Sequence, residues 1–208
     1  MNMVLSLLSI IIAYLLGSIP FAYIIGKLSG LDVRQVGDRN VGTFNVFRHA
    51  GLGAGIATLV ADVGKGTLAI VVAKLLSANE LVMFGAGVAA VIGHNWPVFL
   101  RFRGGRGLAV VIGALLALLP IEMLIAAAIG LVVLYATRSS IWFGVALFIP
   151  LILLCWLFRE RVSLIIYSAA LPCLSGLAHL WTTHHLSPEE QKEAVSFWVA
   201  RKAGHKSK

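Results

Sequence analysis

A glycine- and arginine-rich stretch in the middle of the chain contains residue types that bind anions. Residues 93–107 read Gly-His-Asn-Trp-Pro-Val-Phe-Leu-Arg-Phe-Arg-Gly-Gly-Arg-Gly. Glycines let backbone N–H groups close on an anion, and arginine donates a fork of hydrogen bonds to phosphate or carboxylate oxygens. His94 could hydrogen-bond a phosphate or accept a hydroxyl proton, although a lone buried histidine is more often structural. The predicted anion-binding residues of this stretch are Arg103, Gly104, Gly105, Arg106 and Gly107.

A second polar loop, residues 32–48, contains two asparagines, two glycines and three arginines. Glycine and asparagine tolerate left-handed backbone conformations, so successive N–H groups can converge there. Alone, the pattern fits an ordinary turn-rich loop equally well, but its pairing with the other arginine/glycine stretch favours an anion site. Asp38 is unfavourable in such a loop unless Arg39 neutralises it. The phosphate-binding residues predicted here are Gly37, Asn40, Gly42 and Arg48.

Two charges lie in the middle of an apolar segment. Asp62 and Lys65 are one helical turn apart on the same face. Charges at that depth are costly and usually face a polar cavity or a partner. The pair therefore supports either a functional site or a neutralised structural contact between helices. Ser140, which follows Arg138 and Ser139, could cap a helix or bind the same ligand.

The composition predicts an integral membrane protein. The 208 residues are 59% hydrophobic and 12% charged, with a mean hydropathy of +0.92. A soluble domain of this length does not need so much apolar surface. The net charge of +8 suits anionic lipid headgroups, a cytoplasmic loop bias or an anionic substrate, and we predict no nucleic-acid partner. Cys155 and Cys173 both lie in apolar runs and are interpreted as core residues.

The apolar segments and their flanking charges predict seven spans. A membrane helix needs about 20 apolar residues, and the candidate segments cover about 4–26, 53–76, 80–100, 140–158 and 162–182. Residues 108–135 are too long for one helix, so we divide them at Pro120 and Glu122. Thirteen of the 17 Lys and Arg residues then fall on one side, which predicts an external N-terminus, a cytoplasmic C-terminus and cytoplasmic polar loops.

The last 25 residues, 184–208, are predicted to form a cytoplasmic tail beyond a membrane domain of residues 1–183. Ser187 can cap a helix, Pro188 suits its first turn, and Glu190 completes a capping box. Ala194, Val195, Trp198 and Val199 recur at helical spacing beside charged neighbours, which is typical of an amphipathic helix lying on a membrane surface.

Together these residues resemble the bacterial acyl-phosphate:glycerol-3-phosphate acyltransferases of the PlsY type. The resemblance runs from Gly17-Ser18-Ile19-Pro20 to about Ala109. It rests on a glycine/asparagine loop that ends in Asn-x-x-Arg, here Asn45 and Arg48, and on Asp-x-x-Lys-Gly, here Asp62, Lys65 and Gly66. Its longest element is Gly-His-x-x-Pro-x-Phe-x-x-Phe-(Lys/Arg)-Gly-Gly-(Lys/Arg)-Gly, here residues 93–107.

The resemblance implies a seven-helix bundle in the bacterial plasma membrane, with its active site facing the cytoplasm. It implies transfer of an acyl group from acyl phosphate to the sn-1 hydroxyl of glycerol 3-phosphate, giving lysophosphatidic acid. Phosphate is a good leaving group, so no metal or cofactor is expected, and orientation with charge stabilisation could supply most of the acceleration. Carried onto this chain, the catalytic residues are His94, Asn45 and Lys65, with Asp62 and Gly66 in support.

The sequence departs from the family pattern in two places. The family loop reads Gly-Ser-Gly-Asn-x-Gly-Ala-Thr-Asn, and Asp38, Arg39, Thr43 and Phe44 replace its Ser, second Gly, Ala and Thr. The family's His-x-x-Asn-Ile-x-Arg-Leu segment after the last helix has no counterpart that we identify beyond His184 and His185. The alternatives are therefore an inactive relative of the enzyme, or a transporter or channel for an organic anion. Acyl-chain preference and oligomeric state are left open.

Overall fold

The computed structural model describes residues 2–184 and 186–196, which are helical apart from turns, loops and one isolated bridge between Ser139 and Ser196. The all-α prediction is confirmed for this part of the chain. A single 3₁₀ turn covers Val98–Leu100. The α-helices are α1 Met3–Ser18, α2 Phe21–Leu28, α3 Thr43–Ala50, α4 Leu52–Ser77, α5 Glu80–Asn95, α6 Leu108–Leu118, α7 Pro120–Thr137, α8 Ser140–Leu157, α9 Val162–Thr183 and α10 Pro188–Val195.

The outer surface of the bundle is apolar, as a protein dissolved in hydrocarbon requires. Large side chains such as Leu75, Val132 and Trp181 are more than two-thirds exposed. Within the described residues, six segments are long and apolar enough to cross a membrane. Backbone groups inside helices are satisfied internally, so such segments can lie against lipid. The protein is an all-α integral membrane protein.

The apolar run after residue 107 divides where proline was expected to divide it. α6 ends at Leu118 and α7 begins at Pro120, because proline cannot donate the next helical hydrogen bond. With 11 residues, α6 is about 16 Å long, roughly half the hydrocarbon thickness. The seventh crossing and the positions of the termini stay predictions.

The first apolar segment is broken, which the sequence analysis did not predict. α1 and α2 are separated by Ile19 and Pro20, and Pro20 lacks the N–H that a continuous helix would use. The break exposes the Ile19 carbonyl to the neighbouring helix α4. Lys65 Nζ donates to that oxygen at 2.7 Å. The break therefore supplies a carbonyl acceptor for a buried ammonium group.

Small residues bring α4 and α6 into close backbone contact. A Cβ atom on Gly66 would collide with the carbonyl oxygen of Val110, and one on Gly113 would collide with the carbonyl oxygen of Val63. Thr67 Oγ1 donates to the Gly113 carbonyl at 2.9 Å in the same contact. Small residues at such crossings are what allow membrane helices to pack tightly. This contact fixes the helix that follows the arginine/glycine stretch.

The tail helix α10 begins with the capping box that its sequence predicts. The Ser187 N–H donates to Glu190 Oε2 at 2.9 Å, and the Glu190 N–H donates to Ser187 Oγ at 3.3 Å. The Ser187 amide lowers the pKa of Glu190 because it stabilises the ionised carboxylate. Ala194 is buried against the bundle. Trp198 and Val199, which the prediction placed on the same face, lie outside the described residues.

Candidate active site

A cavity of about 550 Å³ lies between the polar loop before α3 and the helices α3, α4, α6, α7, α8 and α9. Most of its polar lining comes from the segments that carry the sequence motifs, and its remaining walls are mainly leucine, isoleucine, valine and phenylalanine with small residues between them. Such a cavity suits a ligand with one charged end and one apolar end. The polar residues that line it include Asp38, Asn40, Thr43, Asp62, His94, Arg106, Ser140, Ser175 and His179.

The most highly charged group in this region is a buried arginine cluster, formed by Arg48, Arg106 and Asp38. Asp38 Oδ1 lies 3.3 Å from Arg48 Nη2, and Asp38 Oδ2 lies 2.8 Å from Arg106 Nη1. The side chain of Arg48 is 3% exposed, that of Arg106 is 10% exposed and that of Asp38 is 1% exposed. Arg39, the neighbour that could have neutralised Asp38, lies 3.2 Å from Glu190 Oε1 on α10 instead.

Arg106 combines a charge with a fixed orientation. Its Nε donates to Thr182 Oγ1 at 3.1 Å, while its Nη1 faces Asp38. Burial lowers the pKa of Arg106, and the neighbouring Asp38 carboxylate opposes that effect. An arginine stays protonated at neutral pH even so. Arg106 therefore presents a positive guanidinium group to the cavity, with its Nε bonded to Thr182 and its Nη1 paired with Asp38.

Asn45 organises the polar loop and does not line the cavity. Its Nδ2 donates to the carbonyls of Val33, Val36 and Asn40, at 2.8, 3.2 and 2.9 Å. The side chain is fully buried within the first turn of α3. These contacts indicate that Asn45 holds the loop in shape, which differs from the catalytic role that the resemblance implied.

The glycine pair of residues 104 and 105 folds back onto the end of α5. The Gly105 N–H donates to the His94 carbonyl and the Gly104 N–H to the Asn95 carbonyl, both at 3.1 Å. A Cβ atom on Gly105 would collide with His94 Nε2, so only glycine fits. The prediction that these two N–H groups bind phosphate is corrected, because both are already bonded to carbonyls. Gly107 does line the cavity, at the start of α6.

A second charged group lies deeper in the bundle. Lys65 Nζ is 2.9 Å from Asp62 Oδ1, and His94 Nδ1 is 3.7 Å from the same oxygen. All three side chains are less than one-tenth exposed. Asp62 and His94 line the large cavity, whereas Lys65 points toward the α1–α2 break. The structure thus brings together two motifs that are about 30 residues apart in the sequence.

The end of α10 contacts two of the predicted phosphate-binding residues. Ser140 Oγ donates to the Val195 carbonyl at 3.1 Å. Arg48 Nη1 donates to the Ser196 carbonyl at 2.9 Å. The last carbonyls of a helix carry a partial negative charge, so they are suitable partners for a cation and a hydroxyl. Both side chains are therefore engaged by the tail in this conformation.

Eight of the predicted site residues are not part of the cavity lining: Gly37, Asn45, Arg48, Lys65, Gly66, Arg103, Gly104 and Gly105. Arg103 is exposed, and its side chain is not part of the lining. Gly37 forms a left-handed turn with φ of 58° in the polar loop, and Gly66 lies in the α4–α6 contact. Within the described residues, no three His, Cys, Asp or Glu side chains are grouped as metal ligands would be.

Sequence reasoning missed His179 and Thr182. Residues 179–186 read His-Leu-Trp-Thr-Thr-His-His-Leu, so His179 and Leu186 match the first and last positions of His-x-x-Asn-Ile-x-Arg-Leu, and Thr182 takes the place of its asparagine. The segment was sought after the last helix, whereas His179 and Thr182 lie inside α9. His179 lines the cavity and Thr182 accepts from Arg106. The seven-residue spacing between His179 and Leu186 was the sequence feature that could have identified this motif.

The fold and the cavity define an integral membrane protein with buried cations at one end of an apolar cavity. Residues 7–187 match the family model described as glycerol-3-phosphate acyltransferase. Glycerol-3-phosphate acyltransferase 4 of Dehalococcoides mccartyi is 42% identical over 174 residues, which cover 83% of this chain and 94% of that relative.

Two crystal structures of PlsY, an integral membrane glycerol 3-phosphate acyltransferase, have the same fold. The glycerol 3-phosphate form is 33% identical with a TM-score of 0.76, covering 84% of this chain and 88% of that one. The lysophosphatidic acid form is 29% identical with a TM-score of 0.74, covering 91% and 97%. The chain therefore belongs to the glycerol-3-phosphate acyltransferase family, and it is an acyltransferase.

Proposed function

We propose that this protein transfers an acyl group from acyl phosphate to the sn-1 hydroxyl of glycerol 3-phosphate, releasing lysophosphatidic acid and phosphate. One observation carries the proposal: a single cavity joins a buried arginine cluster to a long apolar wall. Both substrates have a phosphate, and the donor and the product also have an acyl chain. A cavity with these two ends matches that combination of groups.

In the proposed reaction, the acceptor oxygen attacks the acyl carbonyl carbon. A new ester C–O bond forms, the bond between that carbon and the phosphate oxygen breaks, and phosphate leaves with the bonding electron pair. The hydroxyl proton is lost in the same process. Arg106 would hold phosphate oxygens, with Arg48 adding positive charge behind Asp38, and fixed cations in a buried site stabilise charge without the reorganisation that water requires.

The deeper charged group, formed by Asp62, Lys65 and His94, is suited to bind the hydroxyl of glycerol 3-phosphate. Neither Asp62 oxygen makes a hydrogen bond within the described residues, although Oδ1 lies in ion-pair range of Lys65. A buried carboxylate that faces a cavity and can still accept a hydrogen bond is able to bind a hydroxyl donor. We assign to Asp62 and His94 the orientation of that hydroxyl and the reception of its proton, with Lys65 fixing Asp62.

We place the protein in the bacterial plasma membrane with this cavity facing the cytoplasm. The support is that the basic loops and the basic tail fall on one side of a seven-span arrangement, and basic loops remain cytoplasmic. The polar end of the cavity is built from those same loops. A water-soluble acceptor could then enter from the cytoplasm, and the acyl chains could lie toward membrane lipids.

The direct test is product formation by the purified protein. Protein in phospholipid vesicles would be given palmitoyl phosphate and radiolabelled glycerol 3-phosphate, and the lipids would be separated by chromatography. We expect labelled lysophosphatidic acid and an equal amount of released phosphate. Folded protein that forms no labelled lipid would overturn the proposal. Label accumulating inside vesicles without acylation would instead identify an anion transporter.

A further inference from the structure

Asp38 is a buried carboxylate placed between two cations at the wall of the cavity. It stands where the family loop has serine, and it is 1% exposed. Its Oδ1 accepts from Arg48 at 3.3 Å. Its Oδ2 makes no hydrogen bond within the described residues, because the Arg106 Nη1 group at 2.8 Å is close enough for an ion pair but is not aligned for a hydrogen bond. This oxygen, in a residue that lines the cavity, therefore keeps the capacity to accept a hydrogen bond beside its ion pair.

This carboxylate changes the charge that the site offers to a phosphate. Two guanidinium groups and one carboxylate give the arginine cluster a net charge of +1. A fully ionised phosphate monoester carries two negative charges and would lie against Asp38 in a site with little water. Like charges disfavour each other in that setting, whereas a carboxylate and a protonated oxygen can share a hydrogen bond.

We propose that Asp38 makes this subsite selective for a phosphate that keeps one proton. The P–OH group donates to Asp38 Oδ2, and an ionised phosphate oxygen accepts from Arg106, while Arg48 holds Asp38 from behind. The ligand then carries one negative charge, which matches the net charge of the arginine cluster. The inference deepens the proposed function, on which its assignment to glycerol 3-phosphate rests, and it names the ionisation state that the subsite takes.

Other charged or titratable side chains near Asp38 could also make anion binding depend on pH. The charged and titratable side chains facing it, among the described residues, are Arg48 from α3, Arg106 from the segment before α6 and His179 from α9. Arg39, the next residue, pairs with Glu190. His179 is the confounding group, since a protonated histidine would also favour anions at low pH. The variant His179→Gln removes that contribution and serves as the control.

Inorganic phosphate and sulfate distinguish the two kinds of anion without any turnover. Sulfate is tetrahedral and doubly charged, but at neutral pH it has no proton to donate to Asp38. Binding of each ion to the full-length protein in detergent would be measured by calorimetry, for the native chain and for Asp38→Ser and Asp38→Asn. We expect the native chain to prefer phosphate by at least about tenfold, the value of one well-placed hydrogen bond. Both variants should lose this preference by gaining sulfate affinity.

The pH dependence gives a second, independent measurement. Because the second pKa of a phosphate monoester is about 6, the singly charged form becomes scarce between about pH 6 and about pH 8. The native KM for glycerol 3-phosphate should rise by up to about tenfold for each pH unit above that pKa. The rise should be absent in Asp38→Ser and retained in His179→Gln.

Equal binding of phosphate and sulfate by the native chain would overturn the inference, as would no binding of either ion. A preference that survives in Asp38→Ser would also overturn it, since the carboxylate would then have no part in the discrimination. Failure of the proposed function has a different signature. In that case the phosphate preference and its loss in Asp38→Ser would be observed, but no labelled lysophosphatidic acid would form in the vesicle assay.

Discussion

At the scale of single residues, the site is built from charges that neutralise one another. Asp38 lies between Arg48 and Arg106, and Asp62 lies beside Lys65. Buried charges are tolerated in proteins when they are paired and hydrogen-bonded. The Asp62–Lys65 pair agrees with the helical spacing of these residues, whereas Arg39, the sequence neighbour of Asp38, pairs with Glu190. The partners of Asp38 come from other parts of the chain, so sequence spacing identified one charged pair and not the other.

The two arginines of the glycine stretch should differ in their effect on acyl transfer. Arg106 is buried beside the cavity and Arg103 is exposed outside it. We expect Arg106→Ala to lower kcat/KM about ten- to hundredfold, equivalent to the loss of one or two charged hydrogen bonds, and Arg103→Ala to lower it less than about threefold. Steady-state kinetics of the two variants measures the difference. Equal losses would show that the cavity does not mark the phosphate site.

The Asp62–Lys65 pair should show strong coupling in stability. Asp62→Asn leaves the Lys65 ammonium without its carboxylate in the bundle interior and should destabilise the protein by about 3 to 5 kcal/mol. The double variant Asp62→Asn with Lys65→Met removes both charges and should recover most of that loss, and Lys65→Met alone completes the cycle. Chemical unfolding in detergent measures each free energy of unfolding. Additive effects in this cycle would mean that the two side chains do not interact.

At the scale of helices, the site depends on how closely α4 approaches α6. α4 carries Asp62 and Lys65, and α6 follows directly after Arg106 and Gly107. The close contact at Gly66 and Gly113 therefore sets the position of one charged group relative to the other. The resemblance assigned Gly66 a supporting role, and the structure shows a steric basis for it.

Alanine at position 66 should disturb this contact, whereas alanine at position 64 should not. A Cβ atom on Gly66 meets the Val110 backbone, but one on Gly64 meets nothing within 4 Å. We expect Gly66→Ala to destabilise the protein by about 1 to 3 kcal/mol, as other overpacked interfaces do. Gly64→Ala should leave the thermal unfolding temperature in detergent unchanged or slightly higher. A normal unfolding temperature and activity in Gly66→Ala would contradict the packing account.

At the scale of the whole molecule, sequence patterns predicted the architecture better than the site. The lengths of the apolar segments identified the membrane helices, and Pro120 identified the division between α6 and α7. Both features can be read from consecutive residues, because hydrocarbon thickness sets the length of a membrane helix and proline lacks the N–H that a helix needs. The charge partners of Asp38 and the hydrogen bonds of Gly104 and Gly105 required tertiary contacts. His179 was missed because the third motif was compared as a whole, while its histidine is retained in α9 and its asparagine is replaced by Thr182.

The number of crossings decides where the two ends of the chain lie. Seven crossings place Met1 outside and Lys208 in the cytoplasm, since an odd number of spans separates the termini. Reporter enzymes fused at each end in a bacterial host would measure this, with fusions in the 78–79 and 159–160 loops as external controls. Finding both ends on one side would show that α6, which is about 16 Å long, does not complete a crossing.

The identity of the acyl donor decides whether the proposed acyl-phosphate reaction is correct. Purified protein would be supplied with labelled glycerol 3-phosphate and, in separate reactions, palmitoyl phosphate with a metal chelator, palmitoyl phosphate with magnesium, or palmitoyl-CoA with magnesium. We expect lysophosphatidic acid from palmitoyl phosphate without metal or CoA, with phosphate released in equal amount, because the arginine cluster accommodates a phosphate and the leaving group needs no further activation. Product formed only from palmitoyl-CoA, or only with a divalent metal, would contradict it.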